Sequence, residues 1–251
     1  MEGAGQWILE MQDFIKWRDG ETRSGVLWCK GAPGVGKTYI VLAPPFGLLV
    51  ALRLYYMSST NSILRSVIVD YLREYASSDH ILYFYFDYKQ QSDQTPLNIL
   101  QTLIRQLLSK FAQLPADIPE LQLKAIRREG LPGWRKLITI LVELCKREKD
   151  VFIVFDALDE CDQHANRGPV IEVLKELIKS DARLLIASRP YPPDVEALLS
   201  DYSTIPIEAS DLDIKAYLIR EIARSPAASK IIDPRLQEEI IKSTMSKSQG
   251  M

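Results

Sequence analysis

An apolar run, VLWC, leads directly into GAPGVGKT at residues 31–38, and no other feature of this 251-residue chain restricts its fold so tightly. The octet matches the pattern G-x-x-x-x-G-K-[ST] in full. Gly34 and Gly36 let backbone N–H groups turn inward around phosphate oxygens at angles that a Cβ would forbid. Lys37 is a mobile point charge for the β- and γ-phosphates, and the Thr38 hydroxyl is a hard oxygen ligand suited to Mg²⁺. Gly31, Ala32, Pro33, Gly34, Val35, Gly36, Lys37 and Thr38 are therefore expected to line a nucleotide, with ATP and Mg²⁺ as the cofactors. From average residue frequencies such a match arises by chance on the order of once in a hundred chains of this length.

A loop of this kind joins a strand to a helix, and the rest of the chain alternates the same two patterns. QWILEMQDFIKWRDG places Trp7, Ile8, Met11, Phe14, Ile15 and Trp17 at helical spacing and stops at Gly20. HILYFYFDY, VFIVFDALDE, ARLLIASRP and STIPIE read as strands. TPLNILQTLIRQLLSKF opens with a threonine cap and a proline at the first helical position. WRKLITILVELCKR, GPVIEVLKELIKS, LDIKAYLIREIAR and PRLQEEIIKSTM also read as helices. Strands alternating with helices predict a parallel sheet covered on both faces.

Two of the strand ends carry chemistry. VFIVFDALDEC delivers Asp156 to the end of an apolar strand, where a Mg²⁺-organising carboxylate must lie to face a phosphate loop. Asp159 and Glu160 follow within one turn, near enough to polarise an attacking water. The alternative for such acids is an ordinary helix cap after a buried strand. ARLLIASRP ends in Ser188 and Arg189, and an arginine there can sense or stabilise a γ-phosphate. A surface arginine in the turn before Pro190 is the plainer alternative. His80 and His164 lack metal-ligand spacing, and the four tryptophans, Trp28 among them, are expected to pack in the core or a lid.

Composition removes several classes of function. Net charge is −2, with 31 basic against 33 acidic side chains, so there is no basic excess to bind nucleic acid. Cys29, Cys145 and Cys161 form no CxxC pair, which argues against a disulfide framework or a zinc site and for a reducing compartment. The acidic N-terminus lacks the build of a signal peptide, and the cytoplasm is the expected location. No guanine-reading N-K-x-D motif follows the acidic strand, which disfavours GTP as the nucleotide.

Taken together, WILEMQDFIKW, LWCKGAPGVGKT, FYFDY, VFIVFDALDEC and LLIASRP resemble the NACHT class of STAND signal-transduction NTPases. They are most similar to the nephrocystin-3-like N-terminal module of fungal NLR-like proteins with ankyrin or similar repeats. The small Ala157 after Asp156, with Asp159 three residues beyond Asp156, is similar to that class's Walker B variant. The resemblance implies a three-layer α/β P-loop NTPase whose arginine strand lies between the Walker A and Walker B strands. It implies a signalling switch that binds ATP, hydrolyses it slowly and thereby controls homo-oligomerisation; the alternative is a non-catalytic interaction scaffold, a decayed or truncated module. Relatives usually continue where this chain ends at SKSQGM, so a truncated copy is expected.

One segment resists this scheme. After Thr38 the loop should run into an amphipathic helix, yet residues 39–62 form a largely apolar stretch containing Pro44, Pro45 and Gly47. Its uncharged part is shorter than the about 20 residues a membrane helix needs. Joining Thr38 to ILRSVIVDYLRE instead gives one helical face through Ile63, Leu64, Val67, Ile68, Tyr71 and Leu72. Residues 39–62 are therefore read as an insertion of the kind a retained in-frame intron leaves; the alternatives are a genuine loop elaboration, which would have to pack its apolar side chains on the domain, and a membrane segment. The expected organisation is a helical lead-in over 1–22, the NTPase core over 23–209, and the start of a helical region over 210–251.

Overall fold

The computed structural model describes residues 7–31, 67–75, 80–111, 133–207, 219 and 232–248. Its five strands are β1 (Val26–Lys30), β2 (Ile81–Tyr85), β3 (Phe152–Asp156), β4 (Arg183–Ser188) and β5 (Ser203–Pro206). They form one parallel sheet in the order β2-β3-β4-β1-β5. The arginine strand β4 thus lies between β1, which enters the glycine loop, and β3, which carries Asp156, as the resemblance implies. Register brings the ends level: Lys30 pairs with Ser188 and Tyr85 with Asp156.

The inner strands β1, β3 and β4 read as near-continuous apolar runs because both of their faces are buried. Along β1, Val26 and Trp28 enter one core while Leu27 and Cys29 enter the other. The first core is closed by α4 (Pro96–Leu108), α5 (Trp134–Arg147), α6 (Arg167–Ile178) and α7 (Pro193–Leu199). The second is closed by α1 (Trp7–Glu10), α2 (Gln12–Arg18) and α3 (Val67–Tyr75). This is the expected three-layer α/β architecture. A further helix, α8 (Pro234–Ser248), fits the PRLQEEIIKSTM pattern. The segment LDIKAYLIREIAR falls almost wholly outside the described residues.

Local chemistry explains the boundaries. The N-terminal pattern, expected as one helix, is broken at Met11, whose extended backbone separates α1 from α2. The chain leaves α2 through Gly20 at φ +75°, a conformation that glycine adopts without strain. Thr95 caps α4 by accepting from the Asn98 N–H at 3.2 Å, with Pro96 at the first helical position. In α3, Ile68 and Leu72 are fully buried against the sheet. Residues 63–66 of the expected helix lie outside the described residues. The Tyr75 hydroxyl donates to Asp19 Oδ1 at 2.7 Å and the Arg18 guanidinium lies 4.2 Å from the Tyr75 ring, so the N-terminal helices grip the helix that follows the loop.

Cys29, Cys145 and Cys161 are buried free thiols. Burial raises the Cys145 thiol to about 12 and the Cys161 thiol to about 11, which leaves both in the unreactive protonated form. No helix among the described residues is long and apolar enough to cross a membrane.

Trp28 is core, as expected, and does more than fill space. Its indole N–H donates to Ser188 Oγ at 2.8 Å, joining β1 to β4 at the end that bears the loop. Replacing Trp28 by Phe should remove this bond and leave a void, costing roughly 2–4 kcal/mol in denaturant unfolding. A loss below about half a kcal/mol would show that the bond does not hold the strands together.

Candidate functional site at the strand ends

The C-terminal ends of β1, β4 and β3 stand side by side, and of the residues singled out from sequence Gly31, Asp156, Asp159 and Arg189 lie there. Gly31, first residue of the glycine loop, donates its N–H to the Ser188 carbonyl at 3.2 Å. Ala32, Pro33, Gly34, Val35, Gly36, Lys37 and Thr38 lie outside the described residues, as does the suspected insertion. Of the glycine loop only Gly31 is described, at the end of β1 beside the end of β4.

Asp156 ends β3 with only 2% of its surface exposed. The chain then reverses through Ala157 at φ 55°, ψ 39°, left-handed backbone that an ordinary side chain resists. A small residue after the strand-end aspartate is thereby explained. A 3-10 turn, Leu158–Glu160, carries the two remaining acids.

The turn sends those acids in opposite directions. Asp159 faces β4: its Oδ1 accepts the Arg189 backbone N–H at 3.0 Å, and its Oδ2 pairs with Arg189 Nε at 3.0 Å. The Asp159 side chain is 7% exposed, whereas that of Arg189 is 41% exposed. Arg189 is thus held by Nε and its backbone, with the rest of the guanidinium reaching solvent. Glu160 faces the segment after β2, where Oε2 accepts the Tyr88 N–H at 3.1 Å. Since β2 is on the side of β3 away from β4 and β1, Asp159 is the acid on the loop side. Sequence alone treated the two as equivalent.

Burial holds the Glu160 carboxyl above its ordinary value, the charges of Asp159 and Asp87 adding to the effect, while the Tyr88 N–H and Arg189 oppose it.

Two residues escaped sequence reading. Arg167, first residue of α6 and 3% exposed, donates Nη2 to the Asp159 carbonyl at 2.6 Å and to the Cys161 carbonyl. Gln91 Nε2 donates to the Glu160 carbonyl at 2.8 Å. A signal for Arg167 existed, because a cation in the first turn of a helix opposes the helix dipole and calls for another reason to be there. Beside the turn, Gln91, Asp159, Asp162, His164, Arg167 and Arg189 help line a cavity of about 320 Å³.

The donor set suits Mg²⁺ with a phosphate ligand. The buried Asp156 carboxylate at the end of β3 offers one hard oxygen of the kind such an ion takes, one strand removed from the β1 end at which the glycine loop begins. Among the described residues no three His, Cys, Asp or Glu side chains cluster as a metal cage. A Mg²⁺ bound by one or two protein oxygens takes its remaining ligands from phosphates and water.

Fold and strand-end chemistry together define a P-loop NTPase type of domain. The family model for the nephrocystin 3 N-terminal region matches residues 3–43 and 58–189. That is well over half of the chain, which therefore belongs to the nephrocystin 3 N-terminal family. The match is interrupted between residues 43 and 58, inside the stretch read as an insertion.

Solved structures give distant likenesses. Cdc6p from Pyrobaculum aerophilum matches with a TM-score of 0.45 and 14% identity, over 85% of this chain and 46% of that one. A DNA replication initiation factor matches with a TM-score of 0.43 and 8% identity, over 99% of this chain and 63% of that one. PCH-2 of C. elegans matches with a TM-score of 0.27 and 14% identity, over 72% of this chain and 49% of that one. Each is spanned for less than two thirds of its length, and likenesses this distant assign no activity here. No curated protein matches.

The raised Glu160 carboxyl gives a pH prediction. A carboxyl with a raised folded value disfavours its charged form, so its penalty is present at neutral pH and fades as pH falls through that value. Glu160→Gln keeps an oxygen for the Tyr88 N–H and removes the charge. Its melting temperature should equal or exceed wild type near pH 7, with the difference closing towards about pH 4. A variant whose deficit is largest at neutral pH would show that the ionised carboxylate stabilises the turn.

Proposed function

We propose that this chain is an ATP-dependent switch module that binds Mg²⁺-ATP at the joined ends of β1, β4 and β3. In this reading it hydrolyses ATP slowly and uses the bound nucleotide to control association with further copies of itself. The observation that carries the reading is the convergence of Gly31, Asp156 and the Asp159–Arg189 pair at one edge of the sheet.

Each residue has a role that follows from its placement or type. Lys37 meets the β- and γ-phosphates as a point charge. Asp156 and Thr38 hold the Mg²⁺, which when bound offsets the negative charge on the phosphate oxygens. Arg189 keeps its Nε and backbone N–H on Asp159 and turns its remaining guanidinium N–H groups to the terminal phosphate. Asp159 thereby orients the arginine and is the acid placed to polarise a water on the loop side. Glu160, turned towards Tyr88, is left a structural role. The location that suits this function is the cytoplasm, with ATP and ADP as ligands.

A second reading is a non-catalytic interaction scaffold. It is favoured by the same ion pair, since both Asp159 oxygens are already engaged and a water must compete with Arg189 for them.

Calorimetric titration with ATP separates the two. Lys37→Ala should abolish binding, whereas Asp156→Asn should weaken binding only when Mg²⁺ is present. Equal losses for Asp156→Asn with and without Mg²⁺ would point to a structural carboxylate, and unchanged affinity in Lys37→Ala would overturn the loop assignment.

The reading of residues 39–62 as an insertion is supported by the interruption of the family match inside them. Deleting them joins Thr38 to Ile63 and sets α3 directly behind the loop, with its N-terminal dipole towards the phosphates. The deletion variant should melt at higher temperature and bind ATP more tightly than the full chain. A variant that fails to fold, or gains nothing in melting temperature from Mg²⁺-ATP, would mean that the segment is integral.

A further inference from the structure

The acidic turn is held from behind as well as from the front. Its carbonyl oxygens at positions 159, 160 and 161 each accept a side-chain donor from outside the turn. Arg167 Nη2 serves Asp159 and Cys161, and Gln91 Nε2 serves Glu160. The two donors are themselves tied together, because Asn166 Nδ2 donates to the Gln91 carbonyl at 3.1 Å. Arg167 is anchored in turn by its backbone N–H, which donates to the Asp162 carbonyl at 2.8 Å.

Arg167 is an expensive choice for this place. It is 3% exposed, stands in the first turn of α6, and has its closest carboxylate, Asp194 Oδ1, 3.9 Å from Nη1. Nε and Nη1 are buried with no hydrogen-bond partner. A buried guanidinium without a bonded carboxylate costs stability that an apolar side chain of similar size would not. What an apolar side chain cannot do is hold two carbonyl oxygens two residues apart, and so fix the turn that aims Asp159 at Arg189.

We infer that Arg167, assisted by Gln91, is a positioning residue that sets the Asp159–Arg189 pair by clamping the carbonyl side of the acidic turn. The inference rests on the nucleotide reading above and extends it to residues that touch neither phosphate nor metal. Partners of this kind, one step removed from the ligand-bearing groups, typically alter metal affinity or activity by about 10–100-fold when lost.

The test uses the full chain with Arg167→Met, Arg167→Lys and, as a milder variant that spares the buried charge, Gln91→Leu. The first readout is amide hydrogen exchange at Glu160 and Cys161, whose N–H groups donate to the Ala157 and Leu158 carbonyls at 2.8 and 3.2 Å. Arg167→Met should speed exchange there by about 10-fold or more while amides of β3 and β4 keep their rates. The second readout is affinity for Mg²⁺-ATP against Mg²⁺-ADP, which lacks the terminal phosphate. The preference for ATP should shrink by about 10-fold in Arg167→Met, partly recover in Arg167→Lys, and shrink less in Gln91→Leu. Mg²⁺-ADP affinity should stay within about 2-fold of wild type throughout.

If Arg167 only fills space, Met restores packing at least as well as Lys, and a Met variant equal to or better than the Lys variant overturns the inference. Unchanged exchange at Glu160 and Cys161 overturns it too. A wild-type chain that binds no ATP overturns the nucleotide reading and this role with it. A wild-type chain that binds ATP, with its preference for ATP over ADP preserved in Arg167→Met, overturns the role of Arg167 alone.

Discussion

The parallel pairing of β4 with both β1 and β3 is the constraint on which the site depends. With Lys30 opposite Ser188 and Phe155 opposite Ile186, the three strands end at one level. Gly31 after β1, the acid ending β3 and the arginine that follows β4 then lie at the same end of the sheet. Ser188 reinforces the arrangement by accepting the Trp28 indole N–H through its side chain and the Gly31 N–H through its carbonyl. Two buried cores, one on each face of the sheet, keep this edge rigid.

At that edge the electrostatics are arranged in layers. Asp156 is buried, Asp159 is nearly so and is neutralised by Arg189, and Arg189 alone reaches well into solvent. Behind them the Arg167 guanidinium supports the backbone of the turn from inside the protein. Negative charge is therefore held inward and a cationic group is presented outward. That is the polarity an anionic ligand with its counter-ion would meet.

The fold was legible because its signals are local and strong. The glycine loop behind VLWC, the apolar strands ending in Asp156 and in Ser188-Arg189, and the capped helix after Thr95 all follow from short-range chemistry. The position of β4 between β1 and β3 came from family resemblance, since strand order has no signature in periodicity. Three features could not be read: the split at Met11, the opposite turning of Asp159 and Glu160, and the back-clamp by Arg167 and Gln91. The turning of Glu160 and the Gln91 half of the clamp depend on contacts between residues far apart in sequence, Tyr88 with Glu160 and Gln91 with the same turn. Arg167 was the nearest to legible, as a cation where the helix dipole disfavours one.

The central claim is that nucleotide and metal bind at the convergent ends of β1, β4 and β3. Paramagnetic broadening of amide resonances by Mn²⁺-ATP, with Mn²⁺ in place of Mg²⁺, tests that location directly. The account predicts the strongest broadening at Gly31, Asp156, Ala157 and Arg189, falling off with distance towards Val26, Phe152 and Arg183 at the opposite ends of the same strands. Broadening centred elsewhere, or none at Mn²⁺-ATP concentrations that saturate the protein, would contradict it.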